Sequence, residues 1–168
     1  MNFSQRLETE RFCLRRLSSA DKPYVFELMG DEDVRRFLGG PIPIARRDAA
    51  ASGYFTPGEG EAVWLVETKG APRSVGLVFI SKHRDGEGFE LSFQFSPEVW
   101  GLGFAFEATR RVLDHAVNEL RLGRLIAETQ SANKASRRLL ERLGMTEQRR
   151  VRRFGAEQIV YASPALSS

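Results

Sequence analysis

Phe89-Glu90-Leu91-Ser92-Phe93-Gln94-Phe95-Ser96-Pro97-Glu98-Val99-Trp100-Gly101-Leu102-Gly103-Phe104-Ala105 joins two different periodicities. Phe89, Leu91, Phe93 and Phe95 alternate with Glu90, Ser92 and Gln94, which predicts a strand with one apolar face. Pro97 stops that strand. Beyond it, Phe104, Ala108, Val112, Ala116 and Leu120 recur at every fourth position, so 101–120 reads as a long amphipathic helix. Glycines crowd the turn between them. Glycine lets backbone approach a ligand closely and adopt unusual dihedrals. The first amides of a helix have no internal partner and sit at the positive end of its dipole. Together these make a site for a phosphate or pyrophosphate. A tight strand-to-helix connection that holds nothing fits the same spacing.

Two other phosphate motifs are set aside. A dinucleotide fingerprint needs Gly-x-Gly-x-x-Gly or Ala, and Phe106 occupies its last position. No Gly-Lys-Ser/Thr follows, as a P-loop requires.

Outward from this turn, strands are expected at 62–67 and 74–80, with Lys69-Gly70 turning the chain between them. Arg84-Asp85-Gly86-Glu87-Gly88 carries a hairpin signal. Residues 7–17 read as a first strand. Ser18, Ser19 and Asp21 offer caps for a helix to about Met29, and 31–38 suggests a short second helix. Residues 41–60, rich in Pro, Gly and Ala, read as a loop with a broken helix. Downstream, 125–129 reads as a strand. Ser131 or Asn133 caps a helix with the stripe Ala135, Leu139, Leu140 and Leu143, closed by Gly144. Residues 145–163 read as two strands turning near Gly155. The order implies an α/β or α+β sheet covered by helices.

The 168 residues fit one domain, 1–168, and their 42% hydrophobic and 28% charged content is that of a globular protein. The one cysteine, Cys13, excludes an internal disulfide and suggests a reducing, cytoplasmic setting, with the side chain as a small filler. The +3 charge suits an anionic small ligand and does not announce a nucleic-acid binder. No apolar run reaches membrane-spanning length, and 1–10 lacks a signal-peptide core. His83 and His115 are read as surface residues outside any catalytic or metal-spaced cluster, and no metal is expected. The Arg149-Arg150-x-Arg152-Arg153 run reads as a solvated strand, with attraction of an acidic peptide as the other option.

The stretch from Phe89 through Trp100-Gly101-Leu102-Gly103-Phe104-Ala105-Phe106-Glu107-Ala108 resembles the acetyl-CoA motif of the GNAT superfamily. It is closest to the Rim-type branch of ribosomal-protein N-acetyltransferases. Glu128-Thr129, Asn133, Ser136, Leu139-Leu140, Leu143, Gly144 and Met145 resemble the family's second motif. Leu7-Glu8-Thr9-Glu10-Arg11-Phe12-Cys13-Leu14-Arg15 resembles the branch's first strand.

The resemblance implies a mixed, mostly antiparallel sheet with a splay between strands 4 and 5, flanked by about four helices. It implies acetyl-CoA as co-substrate, with its pantetheine arm in that splay. Phe93, Phe95, Trp100, Gly101, Leu102, Gly103, Phe104, Ala105, Asn133 and Ser136 would hold it, the pyrophosphate lying on the amides of 101–105. The reaction would be direct attack of an amine on the thioester through a tetrahedral intermediate. A backbone N–H near Phe93 or Phe95 would steady the oxyanion.

The family's Tyr acid has Leu140 at its position, which leaves Ser136 as the candidate proton donor for the leaving thiolate. Glu90 is the candidate base, against a reading as a solvent-facing carboxylate. A protein α-amine, with a pKa near 8, asks less of a base than a lysine near 10.4. Lys134, Arg137 and Arg138 are candidates for the cofactor's 3′-phosphate, or are simply exposed helix positions. The acceptor is a peptide N-terminus or a small-molecule amine, and the chain a monomer or homodimer. Other classes remain in view: a non-catalytic acetyl-CoA sensor, and a basic ribosome- or RNA-associated protein.

Overall fold

A computed structural model describes residues 2–164. Eight strands form one sheet: β1 (Arg6–Glu8), β2 (Phe12–Arg16), β3 (Ala62–Thr68), β4 (Ser74–Lys82), β5 (Phe89–Phe95), β6 (Leu125–Gln130), β7 (Thr146–Arg153) and β8 (Ala156–Ala162). Their spatial order is β1-β2-β3-β4-β5-β6-β8-β7. Every neighbouring pair is antiparallel except β5 and β6. Five helices cover it: α1 (Lys22–Gly30), α2 (Glu32–Arg35), α3 (Ile44–Phe55), α4 (Phe104–Asp114) and α5 (Lys134–Arg142). The fold is α/β, as expected, with one more helix.

Alternation along the strands builds two cores. Leu91 and Phe95 point to one face, where they pack with Val112, Ala116, Leu140 and Leu143 of the α4–α5 side. Leu77 and Phe79 point to the other, against Val25, Leu28, Met29 and Ala51 of α1 and α3. Glu90, Ser92 and Gln94 lie opposite Ser81, Phe79 and Leu77 in register, so they share the α1–α3 face. Phe95 reaches the α4 side because Gly76 opposite it has no side chain; a Cβ there would stand 2.3 Å from the ring.

Four readings need correction. Residues 7–17 are a hairpin and not one strand. Thr9 turns the chain, its hydroxyl accepting from the Phe12 amide at 3.0 Å, and Leu7 then faces Leu14. No glycine or proline marks that turn. The splay expected between the 89–95 and 125–129 strands is present between those strands, which the extra hairpin strand numbers β5 and β6. Residues 44–55 form one unbroken helix. Pro43 caps it, alanines favour it, and Gly53 sits in it without close contacts. The helix predicted over 101–120 starts only at Phe104 and widens into a π-turn at His115–Glu119. Ala135 is exposed, so the apolar stripe of α5 is Leu139, Leu140 and Leu143.

Candidate functional site

β5 and β6 pair at two positions, Phe89 with Leu125 and Glu90 with Ile126. Past these, β5 keeps only β4 as a partner and β6 keeps only β8. Two parallel strands that meet and then part leave a wedge in the sheet. Its walls carry backbone groups able to bond an extended amide chain.

The wedge opens toward the glycine turn. Gly101 and Gly103 both have φ near +77°, a left-handed conformation that glycine adopts without strain. Gly103 caps α4 with no side chain over its amides. Among the described residues, no acceptor stands opposite the amides of Gly101, Gly103, Phe104, Ala105 and Phe106. The Trp100 indole donates to the Phe95 carbonyl at 2.8 Å and ties the turn to the strand end. Several idle amides at a positive helix end form an anion site.

Arg11, from the β1–β2 turn, clasps this loop. Its Nε meets the Glu107 carboxylate at 2.6 Å, and its Nη1 donates to the Leu102 carbonyl at 3.2 Å. The guanidinium lies over the Phe104 ring at 4.8 Å. Its Nη2 stands 3.5 Å from where a Cβ on Gly103 would be. Arg11 and Glu107 are 96 residues apart, and nothing in the local sequence announces the pair.

On the α1–α3 side of the wedge the groups are side chains. Glu90 is half-buried, and burial pushes its carboxyl up; the nearby His83 opposes this and Glu128 adds to it. Gln94 stands beside Tyr54 of α3, whose phenol is also pushed up by burial. Tyr54 packs edge-on against Phe79 at 4.9 Å. Gln130 donates to the Phe37 carbonyl at 3.3 Å, drawing the segment after α2 over β6. Glu90 is thus half-buried and not simply a solvent-facing carboxylate.

Asn133 caps α5, its Oδ1 accepting from the Ser136 amide at 3.2 Å. Ser136 is half-buried near that end. Leu140 is 1% exposed and packs in the core. Tyr161 is nearby but its hydroxyl donates to Glu141 at 3.2 Å. Phe93 is half-buried and Phe95 buried, both on the α4 side. Leu102 and Trp100 are exposed.

Both histidines contradict the surface reading. His115 packs against Phe3 and Trp64. Its Nε2 accepts from the Ser4 amide at 3.2 Å and its Nδ1 faces Glu119 at 2.6 Å. His83 is buried as well. The arginine run is not simply solvated. Arg149 pairs with Asp85 and Glu87, Arg150 with Glu147 and Glu157, and Arg153 with Asp85 and Glu128. Cys13 is buried, as a filler would be. No helix among the described residues is long and apolar enough to cross a membrane.

Known proteins are similar to this chain in sequence and in fold. The family profile described as "Acetyltransferase (GNAT) domain" matches residues 11–146. The uncharacterized protein YkkB of Bacillus subtilis (strain 168) is 29% identical over 167 residues, 96% of each chain. The uncharacterized N-acetyltransferase YnaD of the same organism is 24% identical over 83% of this chain and 81% of its own. A crystal structure of the acetyltransferase from Agrobacterium tumefaciens str. C58 superposes with a TM-score of 0.79 at 25% identity, covering 98% of this chain and 97% of that one. With its match running through the glycine turn, both walls of the wedge and α5, this chain belongs to the GNAT family and is an acyl-CoA-dependent acetyltransferase.

Proposed function

We propose that the chain transfers an acetyl group from acetyl-CoA to a primary amine, either a protein N-terminus or a small molecule. The observation that carries this is the two-position ladder between β5 and β6 ending at a turn of idle amides. The amides of Gly101, Gly103, Phe104 and Ala105 would hold the diphosphate, with Trp100 and Leu102 shaping the turn. Phe93 and Phe95 would wall the arm on the α4 side, and Asn133 and Ser136 would lie at the second wall. Bound acetyl-CoA supplies an activated acetyl thioester. The N–H groups of β5 near Phe93 and Phe95 would donate to the thioester oxygen as charge develops on it.

The acceptor reaches the wedge from the α1–α3 side, where Glu90 waits. An ammonium must lose a proton before its nitrogen can attack. A carboxyl raised by burial is better matched to that task than an ordinary one. Since the base works as the carboxylate, turnover rises with pH as Glu90 ionises, above a glutamate's ordinary value because burial raises it. Ser136 is the candidate to return a proton to the thiolate, because Leu140 takes the family's Tyr position. The likeness of the first strand and of Trp100-Gly101-Leu102-Gly103 to the Rim-type branch favours a peptide N-terminus as acceptor.

The buried Leu140 also favours a second reading, a module that binds acetyl-CoA without turnover. Thiol release from acetyl-CoA, measured in parallel against N-terminal peptides and free amines, separates the two. Amine-dependent release supports the transferase. Tight acetyl-CoA binding with no release on any amine would overturn it in favour of the sensor.

A further inference from the structure

His83 ends the β4–β5 hairpin. Its backbone is well occupied, the amide donating to Gly88 at 2.8 Å and the carbonyl accepting from Gly86 at 3.0 Å. Its imidazole is not. The side chain is 0% exposed, and neither ring nitrogen has a hydrogen-bond partner among the described residues. Buried polar groups are rarely left so, because each idle one has lost its bonds to water and gained none in return. Nε2 lies 3.5 Å from the Glu128 carboxylate, which is itself 8% exposed.

Glu128 belongs to the same place as Glu90. Glu90 stands opposite Ile126 across β5 and β6, and two residues along β6 the side chain returns to that face. Glu128 already has Arg153 Nε at 3.0 Å. Glu90 has no ion pair of its own among the described residues. The charged groups facing Glu90 are His83 and Arg84 of the hairpin, Glu128 of β6 and Arg153 at the end of β7. Asp85 is committed to Arg149 and Arg153.

We infer that His83, Glu128 and Glu90 form one acid–base cluster on the acceptor side of the wedge, in which His83, whenever it carries a proton, favours the carboxylate form of Glu90 that draws the proton from the acceptor ammonium. This rests on the reading of Glu90 as the base. In the step itself, the acceptor's N–H bond breaks, its electron pair stays on nitrogen for the attack, and an O–H bond forms on Glu90. His83 makes and breaks no bond to substrate. It is a positioning residue that acts through charge, and Glu128 is its counterweight.

The cluster makes a signed prediction. His83→Gln removes the one group of the cluster that can carry positive charge and raises the pH at which Glu90 ionises; Glu128→Gln removes a carboxyl and lowers it. Each shift is expected to be about one pH unit. Carboxyl-carbon NMR titration of Glu90 in the full chain, assigned with Glu90→Gln, reads this without turnover. The acid limb of the kcat profile should move the same two ways. Loss of packing alone would move both variants in one direction or neither, and that result overturns the inference. Should a variant unfold, His83→Asn and Glu128→Asp replace it, the aspartate expected to leave Glu90 near its wild-type position. Opposite titration shifts without thiol release on any amine would keep the cluster and remove the transferase reading. Thiol release with an unmoved Glu90 would do the reverse.

Discussion

The two faces of the wedge are built from different materials. On the α4 side the recognising groups are backbone amides, freed by two glycines in left-handed conformation and by the start of a helix. On the α1–α3 side they are side chains: Glu90, Gln94, Glu128 and Gln130 from the strands, Tyr54 from α3, and His83 from the hairpin. An amide site reads what every donor of one class carries, a diphosphate. It asks only for a backbone shape. A side-chain site reads what differs between acceptors, and each position can be exchanged alone. Damage to the first face should therefore fall on donor binding, and damage to the second on the amine.

The largest effect tests the first half. Gly103→Glu forces a side chain onto a left-handed residue and sets a carboxylate beside the amides. Acetyl-CoA affinity is expected to fall at least about 100-fold, near 2.7 kcal/mol, while circular dichroism stays native. Titration calorimetry against acetyl-CoA measures it. Unchanged affinity in the folded variant would show that this turn is not where the donor is held.

The same contrast explains what could be read in advance. The α4 face was legible because its signals are local. Alternation at 89–95, fourth-residue spacing from Phe104 and the Gly-Leu-Gly turn each lie within one element. Asn133 could be placed as a cap for the same reason, and the cap is present. The wedge itself is a matter of pairing between residues 36 apart, Phe89 with Leu125 and Glu90 with Ile126, and only the family resemblance located it. On the α1–α3 face Glu90 was identifiable as facing away from the phenylalanines, but its burial depends on α1–α3 folding over the sheet. The burial of His83 and His115 is not legible in the sequence because their surroundings come from distant segments. His115 is enclosed by Phe3, Ser4 and Trp64, and His83 meets Glu128. The arginine run looked solvated because its partners Asp85 and Glu87 sit on another hairpin.

Arg11 sharpens the contrast at the next size of effect. It is a side chain attached to the backbone-built face, held at Nε and Nη1 with Nη2 turned toward Gly103. Arg11→Met keeps much of the aliphatic packing on Phe104 but removes the clasp and its charge. Acetyl-CoA binding should weaken about tenfold, roughly 1.4 kcal/mol. Turnover of a truncated acetyl-pantetheine donor, which has no diphosphate, should change little. Equal losses with both donors would mean that Arg11 supports the wedge as a whole and not the diphosphate turn.

The smallest effect lies on the other side, where Asp85 binds Arg153 at 2.8 Å and Arg149 at 3.0 Å and so ties the β4–β5 hairpin to β7. The Arg153 guanidinium holds the Asp85 carboxyl far below the usual carboxylate range. A carboxyl depressed in the fold lends stability above its unfolded value, near 3.9, and loses it as pH falls through the folded one. Asp85→Asn should accordingly lower Tm by about 1–3 °C at pH 7, equally at pH 5, and by less at pH 3. The gap should also narrow in about 1 M salt, because these side chains are partly exposed. The variant also frees Arg153 to turn wholly toward Glu128. A fuller pairing there leaves less negative charge facing Glu90, so Glu90 should ionise at slightly lower pH than in the wild type. A Tm gap that persists at low pH would mean Asp85 acts through hairpin geometry and not through charge, and the acceptor face would then owe its order to backbone after all.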